Sequence, residues 1–130
     1  MNEKLMKAAL DNGEGNYIVQ EIPFPKRFES SALIKVVQSG ICGSDIHLTT
    51  ERNESQTIPT GHEVTGEIIE IGTNDKNLVP GDRVAVEMIG AGRACLNCLY
   101  CKKGQMRHCI NRCEDTGGGF GEYVTRLPSG

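Results

Sequence analysis

Four cysteines at short, regular intervals constrain the fold of this 130-residue chain more than any other feature of its sequence. They follow the pattern Cys95-x2-Cys98-x2-Cys101-x7-Cys109. Structural zinc sites take four thiolates in a tetrahedron, and two-residue gaps allow tight turns to direct successive sulfurs to one point. Residues 90–113 contain few large apolar groups, so metal binding would supply the folding free energy that this segment lacks. The pattern predicts a structural zinc lobe at about residues 90–113.

An iron–sulfur cluster is the alternative for this lobe, because Cys-x2-Cys-x2-Cys also opens a bacterial ferredoxin pattern. That pattern continues with x3-Cys-Pro, whereas this chain has Gln105 and Met106 at the two positions. Zinc is therefore the favoured interpretation. We interpret the remaining cysteine of the lobe, Cys113, as a partly buried side chain in a loop rather than a fifth ligand.

A second group of reactive side chains lies earlier in the chain and comprises Cys42, Ser44, Asp45, His47, His62 and Glu63. A catalytic zinc keeps one position open beside three protein ligands, and Cys42 and His62 are suitable donors. Adjacent side chains of an extended segment point to opposite faces, so Glu63 can join them only if the backbone bends, for which Gly61 is suited. On the residues alone a structural interpretation stays open, in which His62 caps a strand end, Cys42 is a core thiol and Asp45 opens a turn.

The rest of the chain has the pattern of a β protein. Five segments are rich in β-branched residues and are bounded by Gly, Pro, Asn or Asp, namely residues 17–22, 32–37, 64–71, 83–89 and 122–127. We find no convincing amphipathic stretch of helical length. The spacing of the segments indicates a twisted, closed β-sheet.

Charge and hydropathy exclude several classes of partner. Lysine and arginine number 14 against 17 aspartate and glutamate, a net charge of −3, and no basic stripe could attract a phosphate backbone. A signal peptide needs an unbroken apolar run near the N-terminus, where this chain has Glu3, Lys4 and Lys7. No apolar stretch approaches membrane-spanning length. We expect a cytoplasmic protein with free thiols, which binds neither nucleic acid nor membrane.

Several motifs together resemble a known family. In chain order they are Cys42-Gly-Ser-Asp-x-His47, Gly61-His-Glu-x-x-Gly66, Gly81-Asp-Arg-Val84, the four-cysteine lobe and Gly118-Gly-Phe-Gly-Glu-Tyr123. Over roughly residues 5–127 the chain resembles the N-terminal GroES-like domain of the zinc-dependent medium-chain alcohol and polyol dehydrogenases. The resemblance implies a mainly β fold for residues 1–130, a GroES-like twisted β-barrel with a zinc-binding loop lobe.

The resemblance also implies two zinc sites. Cys42 and His62 match ligands of the catalytic zinc, and Glu63 matches an acidic neighbour that binds the metal directly in some members, notably polyol dehydrogenases. The structural zinc ligands of the family are matched by Cys95, Cys98, Cys101 and Cys109.

Catalytic roles follow from the same resemblance. Ser44 matches the hydroxyl that takes the proton from the alcohol, and His47 matches the later member of the relay to solvent. Asp45 matches the carboxylate that orients the ligating histidine, a role consistent with the way such partners fix an imidazole tautomer.

The cofactor half of the family is not found in this sequence. In the family a Rossmann domain for NAD or NADP follows, and the third protein ligand of the catalytic zinc lies beyond the position matched by Gly130. The glycines of residues 90–95 do not form a dinucleotide fingerprint, because the last position is cysteine and no βαβ unit follows. We therefore expect part of a longer dehydrogenase acting on an alcohol or polyol, inactive as the 130-residue chain alone. The resemblance allows a homo-oligomer, and the alternative is a stand-alone zinc-binding module.

Overall fold

The computed structural model describes residues 3–74 and 76–129 of the chain. Its strands are β1 (Leu5–Asp11), β2 (Tyr17–Pro23), β3 (Ala32–Gly40), β4 (Glu63–Ile71), β5 (Arg83–Glu87) and β6 (Tyr123–Arg126). Its helices are α1 (Gly43–Glu51), α2 (Leu99–Lys102) and two short 3-10 helices, Ala91–Arg93 and Met106–His108. The prediction of a mainly β fold is confirmed.

The strands form two antiparallel sheets. The larger has the order β5-β4-β3-β6, and the smaller is the hairpin of β1 and β2. An isolated bridge between Ala8 and Gly121 joins the hairpin to the chain just before β6. Beside it, the amide of Ala9 donates to the carbonyl of Phe120 at 2.8 Å. The core lies on the larger sheet and contains Ala32, Ile34, Val64, Ile68, Val86, Met88 and Val124.

All five predicted strand segments are confirmed with shifted ends, and β1 is a strand that the sequence did not indicate. Its residues, Leu-Met-Lys-Ala-Ala-Leu-Asp, favour helices over strands. Pairing with β2 in full register decides its conformation. Met6, Ala8 and Leu10 then alternate into the interior, as the two-residue period of a strand requires.

Helix α1 has no amphipathic signal in the sequence. Its only buried residues are Asp45 and Thr49, so it has no apolar face that a periodicity analysis could find. Polar contacts fix it instead. The Asp45 carboxylate accepts the backbone N–H of Cys42 at 2.9 Å, which caps the first turn, and the Thr49 hydroxyl donates to the Asp45 carbonyl at 2.8 Å.

The glycine-rich segment before the cysteines is closed on Glu87, at the end of β5. The Glu87 carboxylate accepts backbone N–H groups of Ile89, Gly90 and Gly92 at 2.8 to 3.3 Å. Burial opposes the ionisation of this carboxyl, but the backbone donors prevail and lower the pKa of Glu87. This segment binds the protein's own carboxylate and so does not act as a phosphate loop.

Within residues 3–74 and 76–129, no helix has the length and apolar character needed to span a membrane.

Candidate metal centres

Cys42, His62 and Glu63 come together at the ends of β3 and β4. One donor atom from each residue lies within 4.8 Å of the other two. Cys42 follows β3 and precedes the first turn of α1, while Glu63 begins β4. The bend that Glu63 needs is present, because Gly61 has φ of 95°, a conformation that glycine adopts at little cost. A thiolate, an imidazole and a carboxylate form a donor set that suits zinc.

Asp45 connects the two halves of this site. Its side chain is 4% exposed, and one carboxylate oxygen accepts the Cys42 N–H. The other oxygen, Oδ1, lies 3.7 Å from Nδ1 of His62. Because Nδ1 faces Asp45, Nε2 is the nitrogen left to bind a metal. At 3.7 Å the contact is longer than a hydrogen bond, so it is an electrostatic contact that favours this orientation of the ring.

The backbone before His62 is held by a glycine-rich loop. Residues 59–61 accept hydrogen bonds from the amides of Gly118, Gly119 and Phe120 at 2.7 to 2.9 Å. The Phe120 ring also covers Gly61, where a β-carbon would overlap it. This loop therefore determines where the His62 ring enters the site.

Ser44 and His47 lie on α1, in the first two turns after Cys42. Both are exposed. His47 Nε2 lies 3.2 Å from a carboxylate oxygen of Glu51, one turn later on the helix. Residues three apart are neighbours on a helix surface, so Ser44 and His47 can share one face that leads from the metal site to solvent.

The four cysteines of the lobe also converge. Their sulfurs, from Cys95, Cys98, Cys101 and Cys109, all lie within 4.8 Å of one another. The amide of Cys98 donates to the sulfur of Cys95 at 3.4 Å, and that of Cys95 donates to the sulfur of Cys109 at 3.3 Å. Four sulfurs in this arrangement suit a closed, structural zinc site. Cys113 is outside the group, as predicted.

The lobe has almost no core apart from these cysteines. Its buried cluster consists of Ala94, Cys101 and Cys109, with Cys95, Cys98 and Met106 packed against it. Several of its larger apolar side chains instead face solvent, including Leu99 at 63% and Ile110 at 71% exposure. A metal held by these sulfurs would therefore supply most of the free energy that folds this segment.

The thiols of the lobe differ strongly in acidity. Backbone N–H groups of Asn97 and Cys98 lower the pKa of Cys95 to about 6, whereas burial raises the pKa of Cys101 to about 12. Zinc binds thiolates, so zinc bound here at neutral pH would displace at least the proton of Cys101. We therefore expect the affinity of the lobe for zinc to increase with pH.

Comparison with known proteins assigns the family. Residues 29–129 match the alcohol dehydrogenase GroES-like domain. The chain belongs to the alcohol dehydrogenase GroES-like family. It is 37% identical over 126 residues to a sorbitol dehydrogenase of Halalkalibacterium halodurans, covering 92% of this chain and 36% of that enzyme. It is 34% identical over 132 residues to the L-threonine 3-dehydrogenase of Pyrococcus furiosus, covering 95% and 37%.

A solved structure agrees with this assignment. Galactitol-1-phosphate dehydrogenase from Escherichia coli superposes with a TM-score of 0.73 at 28% identity, covering 95% of this chain and 36% of that chain. The GroES-like fold and the relationship to the N-terminal part of zinc-dependent medium-chain alcohol dehydrogenases are thus confirmed. The chain spans about a third of the length of the curated relatives it matches.

In this GroES-like domain Gly40 contributes to the site, although the sequence analysis did not identify it. Gly40 pairs with Glu63 across β3 and β4, and a β-carbon on Gly40 would overlap the Glu63 carboxylate. The missing side chain leaves room for that carboxylate to fold towards Cys42. The sequence feature that could have indicated this role is a glycine two residues before a candidate ligand, shortly after a predicted strand.

Gly40→Ala is expected to weaken metal binding at the Cys42–His62–Glu63 site by about tenfold or more, because the new methyl group displaces Glu63. A cobalt titration followed by visible absorption measures the effect. Gly43→Ala is the matched control, since a β-carbon there meets no atom within 4 Å. Equal affinities in the two variants would contradict the role of Gly40 in placing the Glu63 carboxylate.

Proposed function

We propose that this chain is the catalytic-domain portion of a zinc-dependent alcohol or polyol dehydrogenase, which oxidises an alcohol to a carbonyl compound with hydride transfer to NAD or NADP. The observation that carries the proposal is the convergence of Cys42, His62 and Glu63 within 4.8 Å, beside a separate four-cysteine group. A structural zinc module needs only the second group. The first group is an open set of three donors, as catalytic zinc sites have.

In this proposal Cys42, His62 and Glu63 hold the catalytic metal. Zinc bound there would polarise the oxygen of an alcohol and lower its pKa. Asp45 keeps the His62 ring turned so that Nε2 faces the metal, which the 3.7 Å separation from Nδ1 supports. Cys95, Cys98, Cys101 and Cys109 hold a structural zinc away from this site.

The proton of the alcohol leaves along α1. Ser44, at the beginning of the helix, accepts it and passes it to His47, whose side chain is 71% exposed. Glu51 lies within 3.2 Å of His47, and its carboxylate stabilises the protonated ring before the proton reaches water. A relay of this kind delivers the proton to solvent without exposing the metal site.

The nicotinamide cofactor is held by a domain outside these 130 residues. The three proteins compared above are dehydrogenases. A related zinc-binding dehydrogenase of Sinorhizobium meliloti, 30% identical with a TM-score of 0.67, has NADP bound. We further propose a small-molecule alcohol or polyol as substrate and a cytoplasmic location, with no nucleic acid partner.

Metal content tests the proposal. The purified chain is expected to retain about one zinc after dialysis, held by the four-cysteine lobe, and to load a second, weaker zinc at the three-donor site. His62→Ala should remove the second zinc and leave folding nearly unchanged. Elemental analysis together with circular dichroism checks both results. Iron with visible absorption would favour a cluster in the lobe, and a folded protein without metal would contradict both sites.

A further inference from the structure

Arg126, at the end of β6, carries a charge into the interior of the domain. The residue is only 3% exposed. Its guanidinium donates to the Thr125 carbonyl at 2.8 Å and to the Gly117 carbonyl at 2.9 Å, and it lies 3.5 Å from the Asp115 carboxylate. A buried charge is costly unless several partners satisfy it. Arg126 therefore holds residues 115–117 through the Gly117 carbonyl and the Asp115 side chain, while its Nε has no partner among the described residues.

That stretch of backbone continues directly into the loop that holds His62. The Gly118 amide donates to Pro59 at 2.7 Å and the Gly119 amide donates to Gly61 at 2.9 Å. A β-carbon at Gly118 would overlap the carbonyls of residues 60 and 61, so the two backbones are in close contact. Arg126 and His62 also line one cleft of about 320 Å³. A shift of the loop would consequently move the His62 ring.

Arg126 is also connected to the four-cysteine lobe. Asp115 binds Arg126 through one carboxylate oxygen and binds Arg93 through the other, at 2.9 Å. Arg93 in turn donates twice to the Cys113 carbonyl, at 2.9 and 3.1 Å. These contacts, from Arg93 through Asp115 to Arg126, thus join the lobe to the loop beside the Cys42–His62–Glu63 site.

We propose that Arg126 is a positioning residue for His62, which holds the loop 115–119 in place and braces it against the four-cysteine lobe. This inference rests on the proposed function, because it assigns Arg126 to the geometry of the Cys42–His62–Glu63 site. Arginine suits the task since its planar group donates to several acceptors at once, which a lysine ammonium group cannot reproduce in this fork geometry.

Cobalt binding and amide exchange in the 130-residue chain test the inference. With zinc in the lobe, Arg126→Met is expected to lower the affinity of the three-donor site for cobalt about tenfold to a hundredfold. Losses of this size are seen when residues that orient metal ligands are removed. The amides of Gly119 and Phe120 should exchange faster. Arg126→Lys should recover part of the affinity. A residue that only stabilised the fold would lower the melting temperature without changing the affinity of the folded protein.

Arg83→Met is the matched control, because Arg83 is an exposed arginine on a strand of the same sheet. If Arg126→Met fails to fold, Asp115→Asn replaces it, since Asp115 is 46% exposed and should give a smaller change in the same direction. Unchanged cobalt affinity and exchange in the folded variants would overturn the inference alone. A wild-type chain that binds no cobalt outside the lobe would overturn the proposed function and this inference with it. Faster amide exchange in Arg126→Met would then show only that Arg126 stabilises the loop.

Discussion

The 130-residue chain by itself is expected to give no detectable reduction of NAD or NADP with any alcohol or polyol. The proposed site would polarise an alcohol and remove its proton, whereas the proposed function assigns the hydride acceptor to another domain. Orienting two reactants is worth about 7 to 11 kcal/mol of the barrier. Loss of that contribution is the largest effect we predict.

Activity should appear when the chain is joined to the nicotinamide-binding domain that the proposed function requires. It should disappear again in Cys42→Ala, which removes a donor of the three-donor site, and persist in Cys113→Ala, a cysteine outside both metal groups. The absorbance of reduced nicotinamide measures the activity of all four proteins, namely the isolated chain, the joined protein and its two variants. Robust turnover by the isolated chain would mean that the cofactor binds within these 130 residues, contrary to the proposed function.

The second large effect concerns the lobe. Cys101→Ser is expected to abolish structural zinc binding and unfold residues 95–109, because the buried cluster of the lobe consists largely of its own ligands. Structural zinc supplies about 10 to 16 kcal/mol in small zinc-binding peptides, and nothing else in the lobe replaces it. The β core around Ile34 and Ile68 should keep its protection. Hydrogen exchange of backbone amides separates the two regions.

Cys113→Ser is the control for this prediction, because it makes the same cysteine-to-serine change within the lobe as Cys101→Ser. It should keep its zinc and its exchange pattern, because Cys113 contributes its backbone rather than its sulfur, through the carbonyl that accepts from Arg93. Equal protection of the lobe in Cys101→Ser and the wild type would contradict the structural zinc site.

The sequence determined the parts of this protein whose chemistry is local. The lobe cysteines lie within 15 residues, and their spacing alone limits the geometry that they can adopt, so the four sulfurs converge as predicted. The five predicted strands are rich in β-branched residues, and all of them form. Cys42 and His62 were identified as donors from residue type and motif, although their roles as ligands remain a proposal.

The tertiary structure decided whatever depends on residues distant in the chain. β1 has a helix-forming composition and becomes a strand because β2 pairs with it. Helix α1 has no apolar face, and its first turn depends on the buried Asp45.

The same reason explains why Gly40 and Arg126 were not recognised. Gly40 matters because Glu63 lies across from it in the sheet, and Arg126 matters because the loop beside it touches the backbone before His62. Composition and spacing describe what a residue can do, whereas long-range contacts select which of those interactions it makes. Only the folded backbone brings such partners within hydrogen-bonding distance.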